Sequence, residues 1–113
     1  MDYAEIGMVK EVIDDLTVEL QATDDQFNAS LLSSKVVGAY RDVVGTRRYP
    51  SHYTEDDIIA DMGQFYRTVR ELALYDYNKI GFEGQSRNAE NEVSRTFVDR
   101  SSLFNGVIPL SRF

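Results

Sequence analysis

The stretch Thr54–Val98, TEDDIIADMGQFYRTVRELALYDYNKIGFEGQSRNAENEVSRTFV, separates a helical body from a trailing arm. Thr54 suits an N-cap, since its hydroxyl can accept from a first-turn N–H. Glu55, Asp56 and Asp57 follow where the positive end of the helix dipole favours carboxylates. Apolar side chains recur at Ile58, Ile59, Met62, Phe65, Tyr66, Val69, Leu72, Ala73 and Tyr77, the three-and-four spacing of one buried face. Lys79 lies in the predicted last turn, and Gly81 is placed to take the left-handed conformation that closes a helix. One long amphipathic helix is therefore expected from Thr54 to Gly81.

Two further helices are predicted upstream. From about Tyr3 to Leu20, residues Ile6, Val9, Ile13, Leu16 and Leu20 form one stripe, with Val12 beside it. Gly7 weakens the first turn of this helix, and Thr17 and Val18 weaken its end. Thr23 or Asp24 is then expected to cap a second helix whose first turn carries Asp24 and Asp25. Its apolar face is Phe27, Leu31, Leu32, Val36, Ala39, Tyr40 and Val43, and Gly45 is expected to end it. Gly38 inside it costs up to about 1 kcal/mol relative to alanine, tolerable where another helix crosses closely. The connection Thr46–Tyr53 contains Arg47 and Arg48, the local basic spot of the body, and reads as a solvated or subunit-contacting turn.

Beyond Gly81 the pattern changes. Gln85–Asn91 is polar and aperiodic, as a linker is. Val93–Val98 has the β-branched and aromatic content of a short strand, with Val93, Arg95 and Phe97 on one face. A single strand must find an edge elsewhere, and addition to a partner is one place to find it. The last eleven residues, LFNGVIPLSRF, are too apolar for a loose tail. Leu103, Phe104, Val107, Ile108, Leu110 and Phe113 suit either the chain's own bundle or a groove on a neighbour. Pro109 disfavours a continuous helix through them. The expected organisation is thus all-α: a bundle of about three helices over residues 1–81 and an extended arm over 82–113.

At 113 residues the chain can bury a real core without metals or disulfides. It has no cysteine, which removes disulfide scaffolds, thiolate zinc sites and cysteine nucleophiles. Acidic Asp2 and Glu5 near the start speak against a secretory signal, and the apolar runs fall short of the ~20 residues that a membrane helix needs. The net charge is −7, and residues 1–45 carry nine acids against three bases, leaving −6 there. Such an acidic half opposes binding to a phosphate backbone, which takes clustered Lys and Arg. It suits a soluble, self-repelling surface, or a wall past which DNA slides without sticking.

Chemistry-bearing motifs are lacking. Of the doublets Asp14-Asp15, Asp24-Asp25 and Asp56-Asp57, two fall at predicted helix starts, where the dipole accounts for them. No calcium-loop alternation, phosphate-binding glycine loop or nucleophile elbow occurs. His52 is the one histidine, and its neighbour Ser51 does not make a triad by adjacency. Tyr40, Phe65, Tyr66, Tyr75 and Tyr77 fall at helical spacing, which reads as packing before base stacking. Neither an enzyme nor a bound cofactor or metal is expected.

The string Ala73-Leu74-Tyr75-Asp76-Tyr77-Asn78-Lys79-Ile80-Gly81-Phe82-Glu83-Gly84, then Ser86, then Glu92-Val93-Ser94-Arg95-Thr96-Phe97, resembles the tailed-bacteriophage head–tail connector (adaptor, or head-completion) family. Members typically close their last long helix with a YNKxG-x-EG-like turn, followed by a Ser/Asn/Glu-rich linker and an (I/V)SRTY-like strand. Here Phe97 stands in place of the usual tyrosine, keeping the aromatic face without the hydroxyl. The likeness covers the C-terminal half; the N-terminal half shares the helical layout, and Leu103–Phe113 falls outside the motif. It implies a structural virion protein of the head–tail interface, assembled in the host cytoplasm. Its partners would be the portal protein, about a dozen copies of itself in a ring, a downstream neck or tail component, and DNA passing through the channel. Phe82, Glu83, Val93, Arg95 and Phe97 are the expected subunit or portal contacts. Val107, Ile108, Leu110 and Phe113 are the candidate docking anchors. The competing expectation is an acidic helical regulator that imitates DNA charge, which accounts for the charge asymmetry but leaves the strand and apolar tip unexplained.

Overall fold

The computed structural model describes residues 2–23, 25–84 and 100–110, with 80–84 described by backbone alone. It is a helical bundle: α1 (Gly7–Thr23), α2 (Ala29–Arg47), α3 (Glu55–Met62) and α4 (Tyr66–Gly84), with 3-10 turns at Tyr3–Glu5, Gly63–Phe65 and Arg100–Phe104. Among the described residues no strand occurs, and no helix is long and apolar enough to cross a membrane. The expected strand at 93–98 lies outside the described residues.

Each helix buries the stripe its sequence offers. Val9, Val12, Leu16 and Leu20 come from α1, Leu32, Val36, Ala39, Tyr40 and Val43 from α2, and Met62, Phe65, Val69, Leu72, Ala73 and Tyr77 from the α3–α4 run. α2 packs most extensively on α4, and α1 closes the third side against both. Val12 is fully buried while Ile13 is only half-buried, so the inward face of α1 is centred on the residue expected beside the stripe. Burying a side chain of this size stabilises by about 1.5–3 kcal/mol, and this apolar set forms a contiguous core among the described residues.

Several helix ends depart from expectation. α1 begins at Gly7, after a 3-10 turn capped by Asp2, whose carboxylate accepts from the Ala4 N–H at 3.1 Å. α2 is capped by Asn28 and not by Thr23 or Asp24: Asn28 Oδ1 accepts from the Leu31 N–H at 3.0 Å, leaving Asp25 and Phe27 ahead of the helix. Phe27 is instead half-buried against the Tyr77 ring, with centroids 6.1 Å apart, and the Tyr77 hydroxyl accepts from the Asn28 N–H at 3.0 Å. α2 also runs past Gly45 to Arg47, and Arg48 takes the left-handed closing position with φ 53°. Pro50 accounts for the stop, since proline disfavours the helical conformation at Tyr49 before it.

The long helix begins as read, with Thr54 and Asp57 forming a reciprocal capping box (3.0 and 3.1 Å). It is not one uninterrupted α-helix. Gly63–Phe65 tightens into a 3-10 turn, with Met62 and Gly63 still in the right-handed region, so the run continues into α4. Gly81 does not close it, because α4 extends to Gly84. Gly38 is likewise not a close crossing: a Cβ there would meet nothing within 4 Å.

Candidate interaction surface

Residues 100–110 lie against the body and are fastened there by two arginines. Arg100 opens the 3-10 turn Arg100–Phe104. Its Nε donates to Asp76 Oδ1 and its Nη2 to Asp76 Oδ2, each at 2.8 Å, while Nη2 also reaches Asp42 Oδ2 at 2.8 Å. Asp76 stands on α4 and Asp42 on α2, so one guanidinium joins both helices to the segment. The same group lies over the Phe104 ring, 5.6 Å from its centroid. The Asp76 hydrogen bond, aided by Asp42 and opposed by burial, pushes the Arg100 pKa upward.

Arg47, the last residue of α2, makes the second fastening. Nε and Nη2 donate to Asp61 Oδ2 and Oδ1 at 2.9 and 3.2 Å, and Nη1 donates to the Ile108 carbonyl at 2.6 Å. The Arg47 carbonyl accepts from the Leu110 N–H at 2.7 Å. Its guanidinium sits over Phe65, 5.3 Å from the ring centroid. Asp61 also accepts from the Tyr49 hydroxyl at 2.7 Å and from Gln64 Nε2 at 2.9 Å. Hydrogen bonding from Arg47, against the opposing effect of burial and with help from Tyr49 and Gln64, holds the Asp61 carboxyl below its ordinary range. Burial, then the bond to Asp61, raises the Tyr49 phenol well above its ordinary value.

Between the two fastenings the segment turns inward. Val107 is 5% exposed and belongs to the core, with Leu103 and Phe104 packed against it. Ile108 and Leu110 face outward at 66% and 39% exposure. A third arginine, Arg70 on α4, is clasped by Asp15 and Glu19 of α1 and takes no part in holding the segment. Paired, planar Arg–carboxylate contacts fix orientation as well as position. Here they hold an apolar pair at one place on the surface. Among the described residues no group of three or more His, Asp or Glu side chains is arranged to hold a metal ion.

The predicted site residues fall into three groups. Val107, Ile108 and Leu110 share the fastened segment, but only the last two are presented outward, Val107 being buried in the chain's own core. Phe82 and Glu83 lie in the last turn of α4, where the backbone alone is described. Val93, Arg95, Phe97 and Phe113 lie outside the described residues. Sequence reasoning missed Arg100, Asp76, Asp42 and Asp61 altogether, and it placed Arg47 in a solvated or subunit-contacting turn. No local spacing announces them, since the partners stand 14 to 58 positions apart.

The fold and its fastened segment define a small helical bundle carrying an outward apolar pair on a charge-clamped C-terminal strap. Comparison with protein-family models, with curated proteins and with solved structures found no match to this chain.

Proposed function

We propose that this chain is a structural subunit of a bacteriophage head–tail connector, joining a ring beneath the portal and offering a surface to the next neck or tail component. The observation that carries the proposal is the strap: Arg47 and Arg100 fix residues 100–110 so that Ile108 and Leu110 stand exposed beside a well-packed core. An isolated exposed apolar side chain is ordinary, but two on a segment held by bidentate ion pairs form an oriented contact point. The likeness of Ala73–Gly84 and Glu92–Phe97 to the connector motif supports the same reading. In it, Phe82, Glu83, Val93, Arg95 and Phe97 meet a neighbouring subunit or the portal, with Phe113 as a further anchor. The acidic residues of 1–45 repel the DNA that passes them.

The test mixes purified chain with portal particles and examines them by electron microscopy. Ring density beneath the portal is expected with the full chain. It should be lost when residues 99–113 are deleted and weakened by Ile108→Ser with Leu110→Ser. Unchanged attachment of the deleted chain overturns the docking role of the strap. A complex with a basic DNA-binding protein that dissolves steeply with added salt would favour charge mimicry instead.

A further inference from the structure

We propose that residues 100–110 lift from the body as one unit while the four helices stay folded, with Arg100 as the latch. Closed is the resting arrangement, and lifting is a brief excursion from it.

The strap is bonded to itself. Arg100–Phe104 forms a 3-10 turn, the Asn105 N–H donates to the Ser102 carbonyl at 3.2 Å, and the Val107 N–H donates to the Phe104 carbonyl at 2.8 Å. The Arg100 guanidinium lies over the Phe104 ring of the same segment. None of these contacts has to break for the strap to lift.

Its hold on the body is of a different kind. Among the described residues, Val107 is the one buried core side chain that the strap supplies, and the others fall between Ile6 and Tyr77. Leu103 and Phe104 add partly buried contacts. The polar fastenings are Arg100 to Asp42 and Asp76, Ile108 O to Arg47 Nη1, and Leu110 N to Arg47 O. The Arg100 and Asp42 side chains are 31% and 47% exposed, so water and salt reach their pair. A segment with little buried apolar surface and solvent-reached fastenings opens at less cost than global unfolding.

The body loses little when the strap leaves. Arg47 keeps its two bonds to Asp61, and Asp61 keeps those from Tyr49 and Gln64. Asp42, already half-exposed, passes to water. α2 still packs on α4, and α1 on both. Lifting frees Val107 to stand with Ile108 and Leu110. In the connector role, on which this use alone rests, it offers a partner an apolar side chain that the closed chain withholds.

Amide hydrogen exchange on the unmodified full chain tests the opening. The Leu110 N–H, bonded to Arg47, reports the strap, and the Leu72 and Ala73 amides of α4 report the body. After correction for intrinsic rates, Leu110 should exchange at least about tenfold faster than the α4 pair and depend weakly on urea, while the α4 pair accelerates steeply. Equal protection and equal urea dependence overturn the proposal. Because the chain has no cysteine, single thiols at the strap and in the body give a second reading. Val107→Cys should react with a thiol reagent under native conditions at least about tenfold faster than the matched Val69→Cys. Equal rates again overturn it. The latch is tested by Arg100→Gln and, without substitution, by raising salt from about 0.05 to about 0.5 M; each should speed Leu110 exchange several-fold relative to α4. Exchange that ignores both removes Arg100 from the part. No portal is present, so these results stand apart from the ring experiment.

Discussion

Arg47 and Asp61, fourteen positions apart, meet through two parallel hydrogen bonds at 2.9 and 3.2 Å. Their side chains are 13% and 22% exposed, so the pair is largely withdrawn from water. It ties the end of α2 to α3, and the third nitrogen of the same guanidinium carries the strap through Ile108. One ion pair therefore serves both the body and the surface it presents.

Asp61→Asn should lower stability by about 1.5–3 kcal/mol, the range for a hydrogen bond to a charged group, read as a fall in urea midpoint at unchanged slope. The effect has a pH signature. Because the folded-state pKa of Asp61 is depressed, its contribution is complete above the unfolded carboxylate value near ~4 and is withdrawn as pH falls through the lower folded value. The gap between wild type and variant should hold steady near neutrality and close in acid. A gap that persists at the lowest pH contradicts the ionic origin.

Tyr40 is fully buried on α2, its ring 5.5 Å from that of Tyr3, and its hydroxyl has no hydrogen-bond partner among the described residues. A buried hydroxyl without a partner costs about 1–3 kcal/mol, so Tyr40→Phe should stabilise the fold by roughly 1 kcal/mol in urea melts. Burial, reinforced by Tyr3, pushes its pKa up to about 12. A raised folded value gives stability that is whole below the unfolded phenol pKa near ~10 and lost as pH climbs towards the folded one. The variant should accordingly resist alkaline unfolding better than wild type.

Gly38 lies in the interior of α2 with open space where a Cβ would stand. Gly38→Ala should raise stability by about 0.5–1 kcal/mol, since alanine restricts the unfolded chain and clashes with nothing. A thermal melt showing destabilisation would mean that the bundle needs the room left by the bare glycine, against the open space seen there.

Val107 and Ile108 are neighbours with opposite exposures, 5% and 66%. Val107→Ala should cost about 1–3 kcal/mol in isolation, as expected for a truncated core side chain. Ile108→Ser should leave the isolated chain's stability within about 0.5 kcal/mol of wild type. Attachment should respond in the reverse manner, with Ile108→Ser the more damaging under conditions where both variants are folded.

Much of the body was legible from local pattern. The stripes of α1, α2 and α4 are visible because each helix buries one face, and the Thr54 cap because its partner Asp57 is three residues away. Asn28 was overlooked because Thr23 and Asp24 offered equally good local caps. The choice fell to a position where Phe27 could reach Tyr77. Gly81 misled for a similar reason, since a glycine permits a helix to close but does not oblige it to.

The residues alone determined that this chain forms a helical bundle with an acidic front half and an apolar ending, because periodicity and charge are properties of neighbouring positions. Only the tertiary structure decided that Arg47 and Arg100 hold that ending in place, with Val107 turned inward and Ile108 and Leu110 left outside. Ion pairs between remote positions depend on how helices cross, and helix crossing is set by the packing of the whole core.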